Sequence, residues 1–328
     1  MSPSAFLSGA SGFVGSHLLR ELHDQGWNVH VLARPTSSMD EIRTIPATVH
    51  IGDIVDAESI KAAMPDGIDA VFHVAASTNL WSRNNDAQTQ INVDGTHNMI
   101  EVAVAAGAGR FIHTSSFVTW GFQQTVLTEE TSRVDTSDWI NYVRTKHQAE
   151  QLVLDSVEQG RLDAVIMNPA NVLGPGDWHN WSRLFRMIQH GSLPGAPPGG
   201  GSFCDVREVA KVHVKAYHQG GSGEKYLLGG DYATMLEVIG TAGNILGKRV
   251  PKKPMPAWLL RAWARITTVV ASMTGKEPDL TPEGAVMASH HIICDSAKAQ
   301  RQLDYRFTPV PTLIQDTVDW MHIKGLLQ

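Results

Sequence analysis

The sequence has only two cysteines, Cys204 and Cys294, among its 328 residues. Two such isolated cysteines exclude a disulfide framework and lack the spacing of a metal site. No apolar run approaches the roughly 18 residues that a transmembrane helix needs, and the first residues lack the basic and apolar parts of a secretory leader. These absences predict a cytoplasmic protein with no membrane span and no bound metal.

The sequence also lacks a large excess of either positive or negative charge. The formal net charge is −6, only 18% of the residues are charged, and no block of like charges occurs. A nucleic-acid-binding surface usually needs a clear excess of basic residues, so nucleic acid is not expected as a partner. The length is sufficient for one large α/β domain or for two domains with a substantial core.

A glycine-rich segment at residues 8–15 is the most informative feature that is present. It reads SGASGFVG, and a predicted strand (5–7) precedes it while a predicted helix (16–25) and a second strand (28–32) follow. Glycines at this spacing permit the sharp turn, the approach of a pyrophosphate and the close packing of the helix in a dinucleotide site. A plain strand–turn–helix without ligand is the alternative. The predicted cofactor contacts are Gly9, Ser11, Gly12, Phe13, Val14 and Gly15.

The end of the second predicted strand indicates which dinucleotide is bound. An NAD site commonly offers Asp or Glu to the ribose hydroxyls there, but this chain has Arg34 followed by Pro35 and Thr36. A guanidinium can form a charge-assisted fork with a ribose 2′-phosphate. Arg34 therefore favours NADP(H) over NAD(H), and an arginine that is merely exposed on a loop is the alternative.

The next two predicted strands contribute further cofactor contacts. The third (49–54) ends with Asp53, which could accept a hydrogen bond from the adenine amino group, and with Ile54 beside it. The fourth (70–76) ends in Ala75 and Ala76, whose small side chains leave room for a cofactor across the strand tips. His73 lies within this apolar strand, and we interpret it as a hydrogen-bonded structural residue.

Two groups further along the chain carry acid–base chemistry. Thr114, Ser115 and Ser116 end a predicted strand (110–116), and strand alternation places the first and third on one face. Tyr142 and Lys146 are four residues apart in a helical pattern, hence on one helix face. A cation at that distance should favour the phenolate and lower the tyrosine pKa from about 10.

Together these segments resemble an extended short-chain dehydrogenase/reductase of the NAD(P)-dependent epimerase/dehydratase superfamily. The similarity is greatest to dihydroflavonol reductases and 3β-hydroxysteroid dehydrogenases, and it covers nearly the whole chain. Within that family, the resemblance assigns Ser116 to carbonyl orientation, Tyr142 to proton transfer, and Lys146 to the nicotinamide ribose and the tyrosine pKa. The other matching segments are GDI at 52–54, VFHVAA at 71–76, NVDGT at 92–96, NPANVLGPG at 168–176 and FCDVREVA at 203–210.

The resemblance also implies contacts around the nicotinamide. Residues 168–172 would flank it, with Pro169 and Val172 among the cofactor contacts. Asn92 corresponds to an asparagine that lies near the cofactor in that family. Trp81 and Arg83, in the loop after the fourth strand, could shape a substrate pocket, cover the cofactor or meet the surface.

The alternation of strands and helices predicts an α/β fold with a Rossmann-type doubly wound parallel sheet. Residues 1–172 would bind NADP(H), and residues 203–229 would return to this domain through a helix (206–218) and a strand (225–228). Residues 173–202 and 230–328 would form a smaller, interleaved substrate-binding domain. The helices near 93–106 and 142–157 resemble those through which relatives dimerise, so a homodimer is expected.

One apolar segment, residues 257–273, allows two interpretations. It holds Trp258 and Trp263 together with Arg261 and Arg265. A membrane-surface helix is one interpretation. Because the segment itself is short and has only these two basic residues, we favour a helix that faces the core or lines the substrate pocket.

The pattern as a whole predicts an NAD(P)-dependent oxidoreductase acting on alcohol or carbonyl groups. A reductase or reverse dehydrogenase of an aldehyde or ketone is favoured, because Arg34 indicates NADPH and the distal half is rich in aromatic and apolar residues. The substrate would then be small to medium and largely apolar. An NAD-dependent nucleotide-sugar epimerase or dehydratase is the alternative, and a non-catalytic NADP(H)-sensing protein is a third.

Overall fold

A computed structural model describes residues 2–327 of the chain. This part of the chain has twelve strands, which in chain order are β1 (Ser4–Ser8), β2 (Asn28–Ala33), β3 (Thr48–Ile51), β4 (Ala70–His73), β5 (Arg110–Thr114), β6 (Val126–Leu127), β7 (Ala164–Pro169), β8 (Asn171–Leu173), β9 (Gly200–Asp205), β10 (Lys225–Leu228), β11 (Tyr232–Thr234) and β12 (His291–Cys294). Seven of them form one sheet in the order β3-β2-β1-β4-β5-β7-β10. Every neighbouring pair in this sheet is parallel, so the predicted doubly wound Rossmann-type fold is confirmed.

Helices cover both faces of this sheet. The α-helices of the described residues, including those that pack elsewhere, are in chain order α1 (Phe13–Asp24), α2 (Ala57–Ala63), α3 (Asn85–Thr89), α4 (Gly95–Ala105), α5 (Asn141–Glu158), α6 (Trp181–Gln189), α7 (Val206–Gln219), α8 (Met235–Ile245), α9 (Ala257–Thr274), α10 (Pro282–Met287), α11 (Ala297–Leu303) and α12 (Val310–Ile323). One face carries α1, α7 and α11, and the other carries α2, α4 and α5. Such crossover helices are what a parallel sheet requires.

Successive residues of the central strands pack into opposite helical layers. Leu7 and Phe72 belong to the core under α1 and α7, whereas Phe6 and Val71 belong to the core under α2 and α4. All four side chains are fully buried. Because both faces of each strand are covered, these strands read as continuous apolar runs in the sequence instead of alternating with polar residues.

A second, smaller sheet is formed mainly by the distal part of the chain, with β6 joining it from the first half. Its path is β11-β9-β12-β6, and β8 pairs with β9. Its apolar core includes residues of α6, α8 and α12, among them Phe185, Ile239 and Ile314. The predicted strand 225–228 is present as β10 and returns to the main sheet beside β7. The division into residues 1–172, 173–202, 203–229 and 230–328 stays a prediction.

Several elements end earlier than the sequence pattern predicts. β4 ends at His73 and β5 at Thr114, so Ala75, Ala76 and Ser116 lie in the loops that leave the sheet. The predicted helix at 91–106 begins as a π-helical turn, Gln90–Asp94, before α4. The loop after β4 is held by side chains instead, because the Ala75 nitrogen donates to Ser8 Oγ at 3.3 Å and the Ser77 nitrogen donates to Asn92 Oδ1 at 2.7 Å.

Candidate active site

The glycine turn lies where the first strand meets the first helix. Gly9 has a φ of +83°, and a Cβ placed on it would be 2.6 Å from the backbone nitrogen of Ala75. A Cβ on Gly15 would be 2.0 Å from the carbonyl oxygen of Gly9. Both positions therefore require glycine, one for the backbone conformation and the other for the approach of α1 to β1.

The N-terminus of α1 has no capping side chain. Gly12 is the N-cap residue, and the backbone nitrogens of Phe13 and Val14 have no acceptor within the helix. The turn itself is closed by a hydrogen bond from the Gly12 nitrogen to the Gly9 oxygen at 2.9 Å. A glycine-lined helix end with free N–H groups is a suitable cradle for a pyrophosphate. The residues present thus fit a dinucleotide.

Two neighbouring strand ends lie at the same edge of the sheet. Arg34 directly follows β2, is exposed, and makes no ion pair with any residue between 2 and 327. Asp53 follows β3, and its Oδ1 accepts a hydrogen bond from the Val55 nitrogen at 3.2 Å. Ile54 is buried against Gly95. Because β1, β2 and β3 are adjacent and parallel, these residues share one edge with the glycine turn.

Tyr142 lies in the first turn of α5 and is only partly buried. Its hydroxyl interacts with the side chain of Ser116. Burial raises the pKa of Tyr142 above its usual range, and the interaction with Ser116 only partly opposes this. This net direction is opposite to the lowering that the Tyr142–Lys146 spacing predicts, because desolvation outweighs the contact with Ser116, and the part assigned to Lys146 stays a prediction.

Lys146 lies one turn further along α5 and is buried. Its Nζ donates a hydrogen bond to the carbonyl oxygen of Thr114 at 2.7 Å. Burial lowers the pKa of Lys146 to about 8, although the nearby Glu150 opposes the shift. The ammonium therefore joins α5 to the backbone at the end of β5.

The structure distinguishes the three adjacent hydroxyls. His213 donates from Nδ1 to the Val209 oxygen at 2.7 Å, so its Nε2 accepts from the Thr114 hydroxyl at 2.9 Å. Ser115 donates to Glu150 Oε2 at 2.6 Å on the opposite face of the sheet. Of the three, Ser116 is the one whose side chain acts on the Tyr142 hydroxyl. Strand alternation alone does not decide whether Thr114 or Ser116 lies beside Tyr142, and these contacts favour Ser116.

Glu150 is a polar residue of the site that sequence reasoning missed. It is fully buried, and its Oε2 accepts hydrogen bonds from Ser115 and from Asn168 Nδ2, the latter at 2.7 Å. Its Oε1 pairs with Lys225 Nζ at 2.5 Å. The available signal was its spacing, because residue 150 follows Lys146 by four positions on the same helix face.

Asn92 lies in the π-helical turn before α4 and binds both the loop after β4 and helix α5. Its Oδ1 accepts from the Ser77 nitrogen at 2.7 Å, and its Nδ2 donates to Thr145 Oγ1 at 3.0 Å. Gln88 donates to the carbonyl oxygens of Ser77 and Asn79. Such π-turns often occur at functional sites, and this one joins the loop after β4 to α5.

The remaining predicted contacts lie around these residues. Pro169 ends β7, the strand beside β5, and Val172 lies in β8. Asn168 Nδ2 also donates to the Ser116 carbonyl oxygen at 3.1 Å. In the loop after β4, Trp81 is buried and the Arg83 guanidinium lies 5.5 Å from the centre of its ring.

His73 has the structural environment that the sequence analysis assigned to it. Thr96 donates to the Asn92 carbonyl oxygen, so it accepts from His73 Nε2 at 3.0 Å. The other ring nitrogen, Nδ1, then accepts from the Ser8 hydroxyl at 2.8 Å. Burial lowers the pKa of His73 to about 3, which keeps the ring neutral.

Residues 257–273 face a core on one side only, where Leu260 and Ala264 pack with Ala285, so the core-facing interpretation holds for that side and the lining of the substrate pocket stays a prediction. They form most of α9, whose large apolar side chains are mainly exposed: Trp258 is 71% and Met273 is 83% accessible. Only Leu260, Ala264 and Ala271 of this helix are buried. Leu260 and two alanines face the protein and the other large apolar residues face outward, a distinction that apolar periodicity alone does not make.

Comparison with known proteins adds a family and a fold match. The family model described as "NAD dependent epimerase/dehydratase family" matches residues 5–229. A Synechocystis sp. protein with the provisional name dihydroflavonol 4-reductase is 29% identical, covering 100% of this chain and 97% of its own length. "Sterol demethylase protein B" of Methylococcus capsulatus is 26% identical over 99% of this chain and 100% of its own length. The solved structure of gox2253 matches with a TM-score of 0.84 at 29% identity over the whole of both chains.

Replacing Gly15 by Ala should destabilise the fold, because the new Cβ would collide with the Gly9 carbonyl oxygen. We expect the free energy of unfolding in urea to fall by at least about 2 kcal/mol. The matched control is Gly240→Ala in α8, where a Cβ meets nothing within 4 Å. That variant should be unchanged or more stable by up to about 1 kcal/mol. Equal stability of the two variants would contradict the packing argument.

The neutral, buried His73 should make the fold sensitive to acid. The unfolded state binds a proton near pH 6.5, whereas the folded state binds it only near pH 3, so stability falls as the pH drops below about 6.5. Between pH 7 and pH 5 this histidine should account for about 2 kcal/mol of lost unfolding free energy. A His73→Gln variant should show a correspondingly shallower pH dependence, whatever its absolute stability. Parallel curves for the two proteins would refute the assignment.

Proposed function

The chain belongs to the NAD dependent epimerase/dehydratase family, whose members are nicotinamide-dependent enzymes, and we propose that it is an NADPH-dependent carbonyl reductase. The substrate is an aldehyde or ketone of small to medium size and largely apolar character, and the reverse oxidation uses the same residues. The observation that carries this proposal is the interaction of the buried Ser116 side chain with Tyr142, which is only partly buried and packs on an apolar cluster.

The pair is suited to hold a carbonyl oxygen and to protonate it. Burial raises the pKa of Tyr142, so the phenol keeps its proton at neutral pH and can donate it as the carbonyl oxygen gains negative charge. The Ser116 hydroxyl supplies a second donor at the same oxygen. Ser116 is itself held by the Val118 nitrogen, which donates to its Oγ at 3.4 Å, and the Asn168 amide holds its carbonyl oxygen.

The described residues fit NADP(H) along the carboxyl edge of the sheet. The free N–H groups of α1 would hold the pyrophosphate, Asp53 and Ile54 the adenine, and Tyr142 with Lys146 the nicotinamide ribose. When bound, the nicotinamide supplies or accepts the hydride. The remaining contacts proposed for the cofactor are Gly9, Ser11, Gly12, Gly15, Arg34, Ala75, Ala76, Pro169 and Val172.

The surroundings of Tyr142 favour an apolar substrate. Leu80, Phe122, Val286 and Met287 are partly buried, as Tyr142 is, and pack on the same apolar cluster that includes Phe117 and Trp120. These residues come from separate loops and from α10. The two relatives named above are named for a dihydroflavonol and for a sterol, which are ring compounds that carry no nucleotide. An apolar carbonyl compound is therefore favoured here over a nucleotide-linked sugar.

We also propose that the protein works in the reducing cytoplasm and pairs as a homodimer. Cys204 and Cys294 are free and buried, and burial raises the pKa of the Cys294 thiol to about 12. Neither thiol is suited to disulfide exchange. An open groove of about 440 Å³ along α5, lined by residues such as Val93 and Leu152, is the expected contact region between subunits. No helix between residues 2 and 327 could cross a membrane.

Replacing Tyr142 by Phe should lower turnover by about 10²–10⁴-fold, because it removes the proton donor and keeps the ring. Ser116→Ala should also reduce kcat, whereas Thr114→Ala is the matched control, since its hydroxyl binds His213 instead. The measurement is NADPH oxidation with a panel of apolar aldehydes and ketones. Full turnover in Ser116→Ala with loss in Thr114→Ala would overturn the assignment. Bound NAD on purification with no carbonyl reduction would indicate an epimerase, and no turnover of any kind would indicate a sensor.

Arg34→Ala should weaken binding of NADPH and leave NADH binding nearly unchanged, because only NADPH carries the 2′-phosphate. A loss of about tenfold or more in kcat/KM for NADPH corresponds to one charge-assisted contact. Arg43→Ala, which removes another exposed cation nearby in sequence, serves as the control. The same change with both cofactors, or equal use of both by the unaltered enzyme, would refute the proposed role of Arg34.

A further inference from the structure

Helix α9 exposes the largest group of apolar side chains on any one element that the structure describes. The exposed members are Trp258, Leu259, Trp263, Ile266, Val269, Val270 and Met273. Single exposed apolar residues need no explanation, but a contiguous patch of this size marks an interaction surface. The remaining apolar residues of the helix, including Leu260 and Ala264, pack against α10 and its flanks.

The exposed residues form one continuous stripe. With about 100° per residue, the seven side chains span an arc of about 140°, and its centre lies opposite the face that packs on α10. Arg265 lies beside one border of this stripe, and Arg261 lies further around the helix on the same side. The helix is therefore apolar on two faces, and only one of these faces has a protein partner among residues 2–327.

The charge around α9 indicates what covers the second face. Between Glu237 and Glu277 the sequence has no acidic residue, although the whole chain has a net charge of −6. In this stretch it has seven basic residues, which are Lys248, Arg249, Lys252, Lys253, Arg261, Arg265 and Lys276. The two arginines within residues 257–273 are therefore only part of the positive charge near α9 in the sequence. Arginines along one border of an apolar helix face, with further basic residues in the segments before and after the helix, are typical of helices that lie on anionic membranes.

We propose that α9 docks in the plane of an anionic lipid bilayer, with its exposed stripe among the acyl chains. Trp258 and Trp263 are suited to the boundary between headgroups and acyl chains, where indole rings concentrate. Arg261 and Arg265 would contact lipid phosphates. A second copy of the chain is a poorer occupant, because it would add the same excess of basic residues at this face, whereas an anionic bilayer neutralises that charge.

Docking of α9 would place the candidate site close to the lipid. Glu277, just after α9, accepts a hydrogen bond from Asn79 Nδ2 at 2.9 Å in the loop that follows β4. Next along the chain, α10 contributes Val286 and Met287 to the apolar cluster around Tyr142. The bilayer and the pocket are thus separated by one short helix. The docking proposal does not depend on which reaction the pocket carries out.

Vesicle flotation tests the proposal directly. The full chain should float with phosphatidylcholine vesicles that contain about 30% phosphatidylglycerol, and much less with pure phosphatidylcholine or in about 0.5 M salt. The double variant Ile266→Glu, Val269→Glu should reduce the bound fraction about tenfold or more. These residues are 58% and 60% accessible, so the fold should tolerate the change. The control is Ile323→Glu on α12, where the side chain is 82% accessible, and it should float as the unaltered protein does.

A second pair of variants separates charge from apolar contact. Arg261→Glu with Arg265→Glu should lose binding to anionic vesicles while its circular dichroism spectrum stays unchanged. Absence of flotation with anionic vesicles, or equal flotation of the Ile266→Glu, Val269→Glu variant, overturns the proposal. So does a lipid-free dimer in analytical ultracentrifugation that this variant abolishes, because the occupant is then a second copy. Flotation needs no turnover, so its outcome is separate from that of the NADPH assay.

Discussion

The buried carboxylate of Glu150 is the interaction on which the geometry of the site depends. Its partners come from the ends of three neighbouring strands: Ser115, Asn168 and Lys225. A buried carboxylate that lacked such partners would be costly by several kcal/mol, so the helix that carries it can sit in few positions. The same helix carries Lys146 one turn earlier and Tyr142 one turn before that. Fixing Glu150 against the sheet therefore fixes where the phenol meets Ser116.

Burial governs the protonation states around this network. It raises the pKa of Tyr142, lowers the pKa of Lys146 to about 8 and lowers the pKa of His73 to about 3. These shifts all favour the neutral form, as desolvation requires. An acid that stays protonated at neutral pH suits reduction, where a proton must be given to an oxygen. The surrounding loops are held by Asn92 and Gln88, so the donors are oriented by the protein itself.

The parts of the fold and site that the sequence predicts are those where one residue type has one physical use. Gly9 and Gly15 are predictable because no other residue fits their backbone contacts, and the seven-stranded sheet is predictable because its strands are apolar on both faces. The links among Ser115, Glu150 and Lys225 are not, since each pair is far apart in sequence and any polar residue could be exposed. The raised pKa of Tyr142 is likewise not predictable from the sequence, because spacing gives proximity but not burial.

Helix α9 shows the same limit for apolar residues. A periodic pattern indicates that a helix has an apolar face, yet α9 is apolar on two faces and the pattern cannot say which one packs on the protein. The fold resolves this by size, because Ala264 and Ala271 permit close packing on α10 while Trp258, Ile266 and Met273 project outward. Polar groups are buried only where partners satisfy them, as at Glu150. By the same reasoning, large apolar groups in one exposed stripe require a neighbour that removes them from water, and the basic residues bordering that stripe set the sign of its charge.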